Sequence, residues 1–410
     1  MPKIAERNTD YDFRNSSYAA AYPNLHKYPA TMLPQIGIKL LRDFGISSGK
    51  LLDPYCGSGS SFASGMECGI TEMYGNDINP LAILISKVKF TWLSIDSLIH
   101  QKIKLRNDIF EFVKDEEQIS KMSLPKITNM DFWFSKEVLY NLNVIRHFIY
   151  KIQDEKLRNF FIVPFSETVR ECSLTRNSEF KLYRMKADDI LKFNPDVFGV
   201  YFKKLNDNIF IYSNNYFPKL TTELNVDLQF SRFQQKDDYF DTVLTSPPYG
   251  DSRTTVAYGQ FSTLSNEWMG NENARKIDKT LMGGVKSKYL YTDGLIYDYI
   301  DEIYKKDNKR ALEISSFYSD LEQSINIVQK SVKKGGKVFY VVGNRTVKEI
   351  QLPTDQFIAE KFENNNFEHI TTIKRALSSK SMPSKNSPTN KKGKTVNTML
   401  YEYIVVCQKN

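Results

Sequence analysis

Cysteine is scarce: Cys56, Cys68, Cys172 and Cys407 are scattered along the chain with no CxxC pair. That spacing offers neither a zinc framework nor a disulfide set, and together with the lack of a secretory leader it points to the reducing cytoplasm. Histidine is equally scarce, at four residues, so a His-based metal site is not expected and no metal is assigned. No apolar run approaches the ~20 residues a membrane span needs. The GxxxxGK[ST] pattern is absent as well, which disfavours ATP or GTP as a ligand. No internal repeat is visible.

What remains is ample for a packed core. The 410 residues are 41% hydrophobic and 13% aromatic, and the formal net charge of +8 suits a polyanionic partner. The length exceeds that of one ordinary domain, so one large domain carrying an insertion is expected.

The order of elements supports that division. A polar N-terminal arm runs through Asn15, and a helical pattern (Met32, Ile36, Leu40, Leu41) ends near Gly45. A short strand at Leu51-Leu52 runs into Asp53-Pro54-Tyr55-Cys56-Gly57-Ser58-Gly59-Ser60. A helix over about 61–68 and a strand at Glu72-Met73-Tyr74-Gly75 lead to Asn76-Asp77-Ile78-Asn79-Pro80. Strand, glycine loop, helix, strand and acid follow one another as in a doubly wound α/β nucleotide-binding sheet. Helical periodicity then dominates from about 95 to 215, before strands resume near 224–228 and 240–244. The predicted organisation is residues 1–94 with the cofactor motifs, a helical insertion at 95–215, and 216–410 with the catalytic motif. A helix around 317–332 is expected to stop at Lys333-Lys334-Gly335-Gly336, ahead of strands at 338–342 and 401–407.

Two places carry chemistry. In the first loop, Gly57 and Gly59 lack Cβ atoms, so backbone can approach a ligand, and the next helix offers free N–H groups. Asp53 before the loop and Asp77 after the second strand fit a small cationic nucleoside, with Asp77 accepting from two ribose hydroxyls. The second place is Ser246-Pro247-Pro248-Tyr249. Two prolines supply no N–H, so this turn presents acceptors. Ser246 and the Pro247 carbonyl are expected to hold both hydrogens of an exocyclic amino group and to aim its lone pair at a methyl sulfonium. Tyr249 is expected to stack on the base once it leaves the helix. A Pro-Pro-Tyr run also occurs as a tight turn or a proline-rich ligand.

Asp53–Ser60, Asn76–Pro80 and Thr245–Gly250 together resemble the cofactor and catalytic motifs of amino-directed DNA methyltransferases. Leu25–Pro34 resembles the N-terminal cofactor motif of that family, Gly335–Asn344 its fifth-strand region, and Lys380–Pro383 with Glu402–Val405 its closing segment. The resemblance implies a class I S-adenosylmethionine-dependent methyltransferase, α/β with a mixed seven-stranded sheet, acting on duplex DNA. It also implies that Tyr28, Pro29, Asp53, Tyr55, Gly57, Gly59, Asp77 and Ile78 hold S-adenosylmethionine, with Asp227 on the adenine amino group. Serine in Ser-Pro-Pro-Tyr is typical of cytosine-N4 enzymes, whereas adenine-N6 enzymes usually carry Asp, so adenine is the alternative base. The chain contains no Pro-Cys dipeptide, the nucleophile signature of carbon-5 cytosine methyltransferases.

For the DNA, phosphate contacts are expected from Arg170, Arg176, Lys181 and Arg184, and from a basic stretch that includes Lys380. Arg253 or Tyr258 is expected to fill the gap left by a flipped base. Target recognition is placed in the insertion, with 268–300 and 378–397 as the rival placement. A companion endonuclease, without a stable complex, is implied by the family. RNA guanine-N2 or adenine-N6 methylation, or DNA binding on an inactive scaffold, are the competing functions.

Overall fold

Alternate residues of the central strands face opposite layers of helix. Leu51, Phe339, Val341, Ile404 and Val406 pack into one apolar core, while Leu52, Val338, Tyr340, Val405 and Cys407 pack into another. This period-2 division is what a sheet covered on both faces requires. The computed structural model describes residues 4–14, 22–29, 31–177, 179–251, 256–377, 385–386, 396–397 and 399–410.

The strands are β1 Glu6–Arg7, β2 Lys50–Asp53, β3 Glu72–Asp77, β4 Asn225–Phe230, β5 Phe240–Thr245, β6 Val332–Val342, β7 Phe367–Ala376 and β8 Tyr401–Lys409. In space they run β1-β7-β8-β6-β5-β2-β3-β4. β8 is antiparallel to both its neighbours, and the other pairs are parallel. Without β1 this is the mixed seven-stranded class I methyltransferase sheet. Its order reverses beside β2, whose neighbours are β3 and β5, and a crevice for ligands opens at the carboxyl ends of strands at such a switch point.

Helices α1 Pro34–Asp43, α2 Ser60–Glu67 and α3 Pro80–Phe90 cover the first face. The second face is covered by α9 Ile296–Lys306, α10 Asn308–Ser331 and α11 Thr354–Glu363. Between α3 and β4 the chain forms four long helices: α4 Ile95–Phe112, α5 Lys136–Tyr150, α6 Glu155–Cys172 and α7 Val197–Ile211. Each starts at a Ser or Asp whose side chain accepts from a backbone N–H of the first turn, at Ser94, Ser135, Asp154 and Asp196. α6 is buried on every side from Phe160 to Ser166, so it is the axis of this group. Its Phe160 and Val163 belong to the same core as Leu51 and Met73, so the inserted helices extend the first face of the sheet. Helix α8, Tyr258–Trp268, packs against α6 and α3. Among the described residues no helix is long and apolar enough to cross a membrane.

Two expectations need correction, and one strand was not expected. The polar arm is partly tied down: β1 adds an eighth strand beside β7, and Tyr11 and Asp12 are buried. Lys333–Gly336 does not stop a helix. α10 ends at Ser331 and β6 begins at Val332, with Gly335 at φ +76° inside a bulge where the pairing with β5 jumps from Phe240–Val332 to Thr242–Lys337. Strand β7, which sequence periodicity did not announce, completes the edge that β1 joins.

Candidate active site

Both motif loops leave the sheet at the switch point, one after β2 and the other after β5. They wall a cavity of about 180 Å³ lined by Gly57, Asp77, Ser246 and Pro248 among others. Tyr28, Pro29, Asp53, Tyr55 and Ile78 also line it.

Asp53 holds the two loops together. Its Oδ1 accepts from the Tyr55 N–H at 3.0 Å and from the Thr245 hydroxyl at 2.6 Å, while Oδ2 accepts from Ser61 in the first turn of α2. Asp77, at the end of β3, accepts from the N–H groups of Gly57 at 3.0 Å and Asn79 at 2.8 Å. Burial pushes both carboxyl groups up, each to about 6. Neither forms an ion pair with a lysine or arginine among the described residues.

Behind the loop the Lys89 ammonium, buried and pushed down to about 7 by desolvation, donates to the Ser58 carbonyl at 2.8 Å and to Asn24 Oδ1 at 3.1 Å. Asn79 is a second buried hub. Its Nδ2 donates to the Tyr28 hydroxyl and to Ser262, each at 3.0 Å, and its Oδ1 accepts from Asn266 at 3.1 Å. Asn79 thereby joins the N-terminal motif to α8, which follows the catalytic turn.

In that turn the Ser246 hydroxyl lies 3.4 Å from the Tyr249 hydroxyl, which in turn donates to Glu402 Oε1 at 3.1 Å. Glu402 is ion-paired with Arg375, whose Nε also donates to the Tyr11 carbonyl at 2.6 Å. A Cβ at Gly343, just past β6, would sit 2.9 Å from Cδ2 of the Tyr249 ring, so the glycine lets the chain pass close to that ring.

Several sequence assignments move. Gly59 does not line the cavity. It stands at φ +87° as the N-cap of α2, and a Cβ there would lie 2.7 Å from the Phe90 ring, so its role is close packing. Asp227 lies within β4 and accepts from Gln229, away from the cavity; Ser231, Arg232 and Phe233 beyond the strand's end reach the cavity instead. Pro247 and Tyr249 are not cavity walls, and Tyr249 shares a smaller pocket with Asp251 and Arg345. Tyr258 is stacked on Tyr28 at 6.1 Å and lines the cavity, so it is not free to fill a gap in DNA.

Arg170 is 6% exposed, lies 4.3 Å over the Phe261 ring and donates to the Phe261 carbonyl at 2.9 Å. Burial takes it out of reach of phosphates. Arg176 is half-exposed and paired with Glu179, Arg184 lies over the Phe132 ring, and Lys181 is partly buried. Arg253 and Lys380 lie outside the described residues.

Sequence reasoning missed one wall of the cavity. Asp320, Gln323, Ser324 and Ile327 lie on one face of α10, at helical spacing, and line the cavity. Ser324 accepts from the Tyr55 hydroxyl. The periodicity gave a helix here without saying what its polar face meets.

The cavity fits a cationic nucleoside. Among the described residues, three carboxylates (Asp53, Asp77 and Asp320) line it against one cationic side chain, Arg232. A Cβ at Gly57 would meet nothing within 4 Å, which leaves an open cradle at the cavity wall. Apolar Met32 and Phe233 are available to a purine ring.

Such a site on this sheet defines a class I S-adenosylmethionine-dependent methyltransferase, with S-adenosylmethionine as the cofactor. No family model matches the chain. It is 38% identical over 432 residues to type II methyltransferase M.MvaI of Kocuria varians, covering 98% of this chain and 94% of that protein. It is 26% identical over 196 residues to type II methyltransferase M.MjaII of Methanocaldococcus jannaschii, covering 46% of this chain and 34% of that one. A solved SAM-dependent methyltransferase from Methanosarcina mazei covers 90% of this chain and 96% of its own, at 9% identity and a TM-score of 0.32. The chain belongs to the type II methyltransferases, a DNA methyltransferase family.

Proposed function

We propose that this protein methylates the N4 amino group of cytosine at a specific site in duplex DNA, as the modification partner of an endonuclease with which it forms no stable complex. The observation that carries the reading is the Thr245–Asp53 hydrogen bond, which sets the Ser-Pro-Pro-Tyr turn and the glycine loop on one cavity. Cofactor binding falls to Asp77 for the ribose hydroxyls and to Tyr28, Pro29, Tyr55, Gly57 and Ile78 around them. Bound there, S-adenosylmethionine supplies an activated methyl group on a cationic sulfonium.

The chain's own residues do the rest. The target base must leave the stack to reach the turn. The Ser246 hydroxyl, with its proton directed at Tyr249, keeps lone pairs for one amino hydrogen, and the Pro247 carbonyl takes the other. With both hydrogens held, the nitrogen lone pair points into the cavity, and the surplus amino proton passes to water. Tyr249, fixed through Glu402, presents its ring to the base.

The test is transfer of labelled methyl to unmethylated genomic DNA, followed by mass spectrometry of the nucleosides. N4-methylcytosine is expected. N6-methyladenine would keep the reaction and overturn the base, and label in RNA alone would overturn the substrate.

A further inference from the structure

The segment after α8 runs from the cavity to the surface past the catalytic turn. Thr280, Leu281 and Met282 line the cavity. Gly283 then donates to Asp320 Oδ2 at 2.8 Å, and a Cβ on it would sit 3.2 Å from Cβ of Asp251, which follows the Ser246–Gly250 turn. Two residues later the chain reaches solvent with an unusual composition for a surface loop. Val285 is 64% exposed and Tyr289 79% exposed, and the lysines between them, Lys286 and Lys288, are exposed. No ion pair to either lysine occurs among the described residues.

The loop is held in shape. Ser316 of α10 donates its hydroxyl to the Val285 carbonyl, the Ser287 N–H donates to the Leu312 carbonyl at 3.3 Å, and the Ser287 hydroxyl donates to the Tyr289 carbonyl at 2.7 Å. Further along the same helix, Ile314 and Phe317 wall the small pocket that contains Tyr249 and Asp251. A tyrosine that the core does not use is therefore presented on a braced loop, next to two lysines with no ion pair among the described residues, against the stretch of α10 that also walls the Tyr249 pocket.

We propose that Val285–Tyr289 engages the duplex beside the extruded base, with Lys286 and Lys288 on phosphates and the Tyr289 ring against the stack that the base leaves open. The inference rests on the reading of duplex DNA as substrate. Each lysine that neutralises a phosphate releases a condensed counterion, which makes affinity fall with salt. A ring wedged into the stack offsets part of the unstacking that flipping requires.

The test uses the full-length enzyme and a duplex oligonucleotide containing the site found by mapping its own methylated product. Replacing both lysines (Lys286→Ala with Lys288→Ala) should make the log–log salt dependence of kcat/KM shallower by about 2. Tyr289→Ala should slow methylation of the paired site by on the order of tenfold, with rate restored when the target base is mispaired and already loosened. Cofactor affinity and melting temperature should match wild type in both variants. An unchanged salt slope, or a Tyr289→Ala loss that a mispaired target does not repair, would overturn the loop assignment. Wild-type activity on the duplex is the separate check: where it is present these results bear on the loop alone, and where it is absent both readings fall.

Discussion

The Thr245 hydroxyl donates to Asp53 Oδ1 across 2.6 Å, joining the carboxyl end of β5 to that of β2. These strands are neighbours, but their backbone pairing stops at Leu51–Thr242 and Leu52–Val243, so this side-chain bond fixes how the loops beyond them meet. Thr245→Val keeps the shape of the side chain and removes the donor. It should cost about 1–3 kcal/mol of stability, because Asp53 is left buried with one partner fewer. Cofactor affinity and turnover should fall together, and Thr245→Ser should restore both. Denaturant unfolding and cofactor titration read these effects; wild-type values in the valine variant would remove the bridge from the site's architecture.

Ser246 makes a different forecast, because it belongs to the catalytic turn and its hydroxyl bonds to Tyr249 of the same turn. Ser246→Ala deletes an acceptor for the target amino group and leaves Asp53 and Asp77 as they are. Turnover should drop by on the order of 100-fold with cofactor affinity unchanged. Single-turnover kinetics beside equilibrium binding separate the two quantities. A variant with full turnover would take Ser246 out of the chemistry.

Cofactor binding should depend on pH in the acidic range. Burial raises the Asp53 and Asp77 carboxyl groups to about 6, so the folded protein without ligand binds more protons than the unfolded chain between about pH 4 and 6. That contribution to stability is present at the acidic end and is lost as pH rises through 6. A cationic ligand favours the ionised carboxylates, so its affinity should be full above pH 6 and weaken below it, by up to about tenfold per unit for each group. S-adenosylhomocysteine lacks the sulfonium charge and should show a flatter profile by calorimetry. Identical profiles for the two ligands would mean that the carboxylates do not sense that charge.

How far the site could be read in the sequence follows from where its parts come from. Asp53–Gly57 and Thr245–Pro248 were legible because each is a short loop tied directly to a strand end, so local order fixes position. Asp320 and Ser324 were not: they reach the cavity from a helix far along the chain from the catalytic turn, and only tertiary packing says which face of α10 turns inward. Arg170 misled for the opposite reason. Its polar neighbours suggest solvent, but α6 is central to the inserted helices and the guanidinium finds the Phe261 ring and carbonyl. Asp227 was the acid nearest the expected strand end, but β4 runs on to Phe230, so it lies within the strand and the residues beyond the end reach the cavity instead. β7 was overlooked because its alternation is broken by buried polar residues, His369, Thr372 and Arg375.

Arg375 gives the last expectation. It is 1% exposed, pairs with Glu402, and donates to the carbonyls of Tyr11 and Asp12, so a single cation joins β7, β8 and the N-terminal segment behind Tyr249. Arg375→Met fills similar volume but takes the cation from the largely buried Glu402 carboxylate, which keeps the Tyr249 hydroxyl, a change that costs roughly 3–5 kcal/mol. Pairing it with Glu402→Gln removes the stranded charge and should recover much of that loss. The double variant should still turn over more slowly than wild type, because the Tyr249 hydroxyl then meets an amide instead of an anchored carboxylate. Thermal melts of both variants, with turnover measured on the double one, check this. Equal destabilisation in the single and double variants would mean that lost packing, not the unpaired carboxylate, sets the cost.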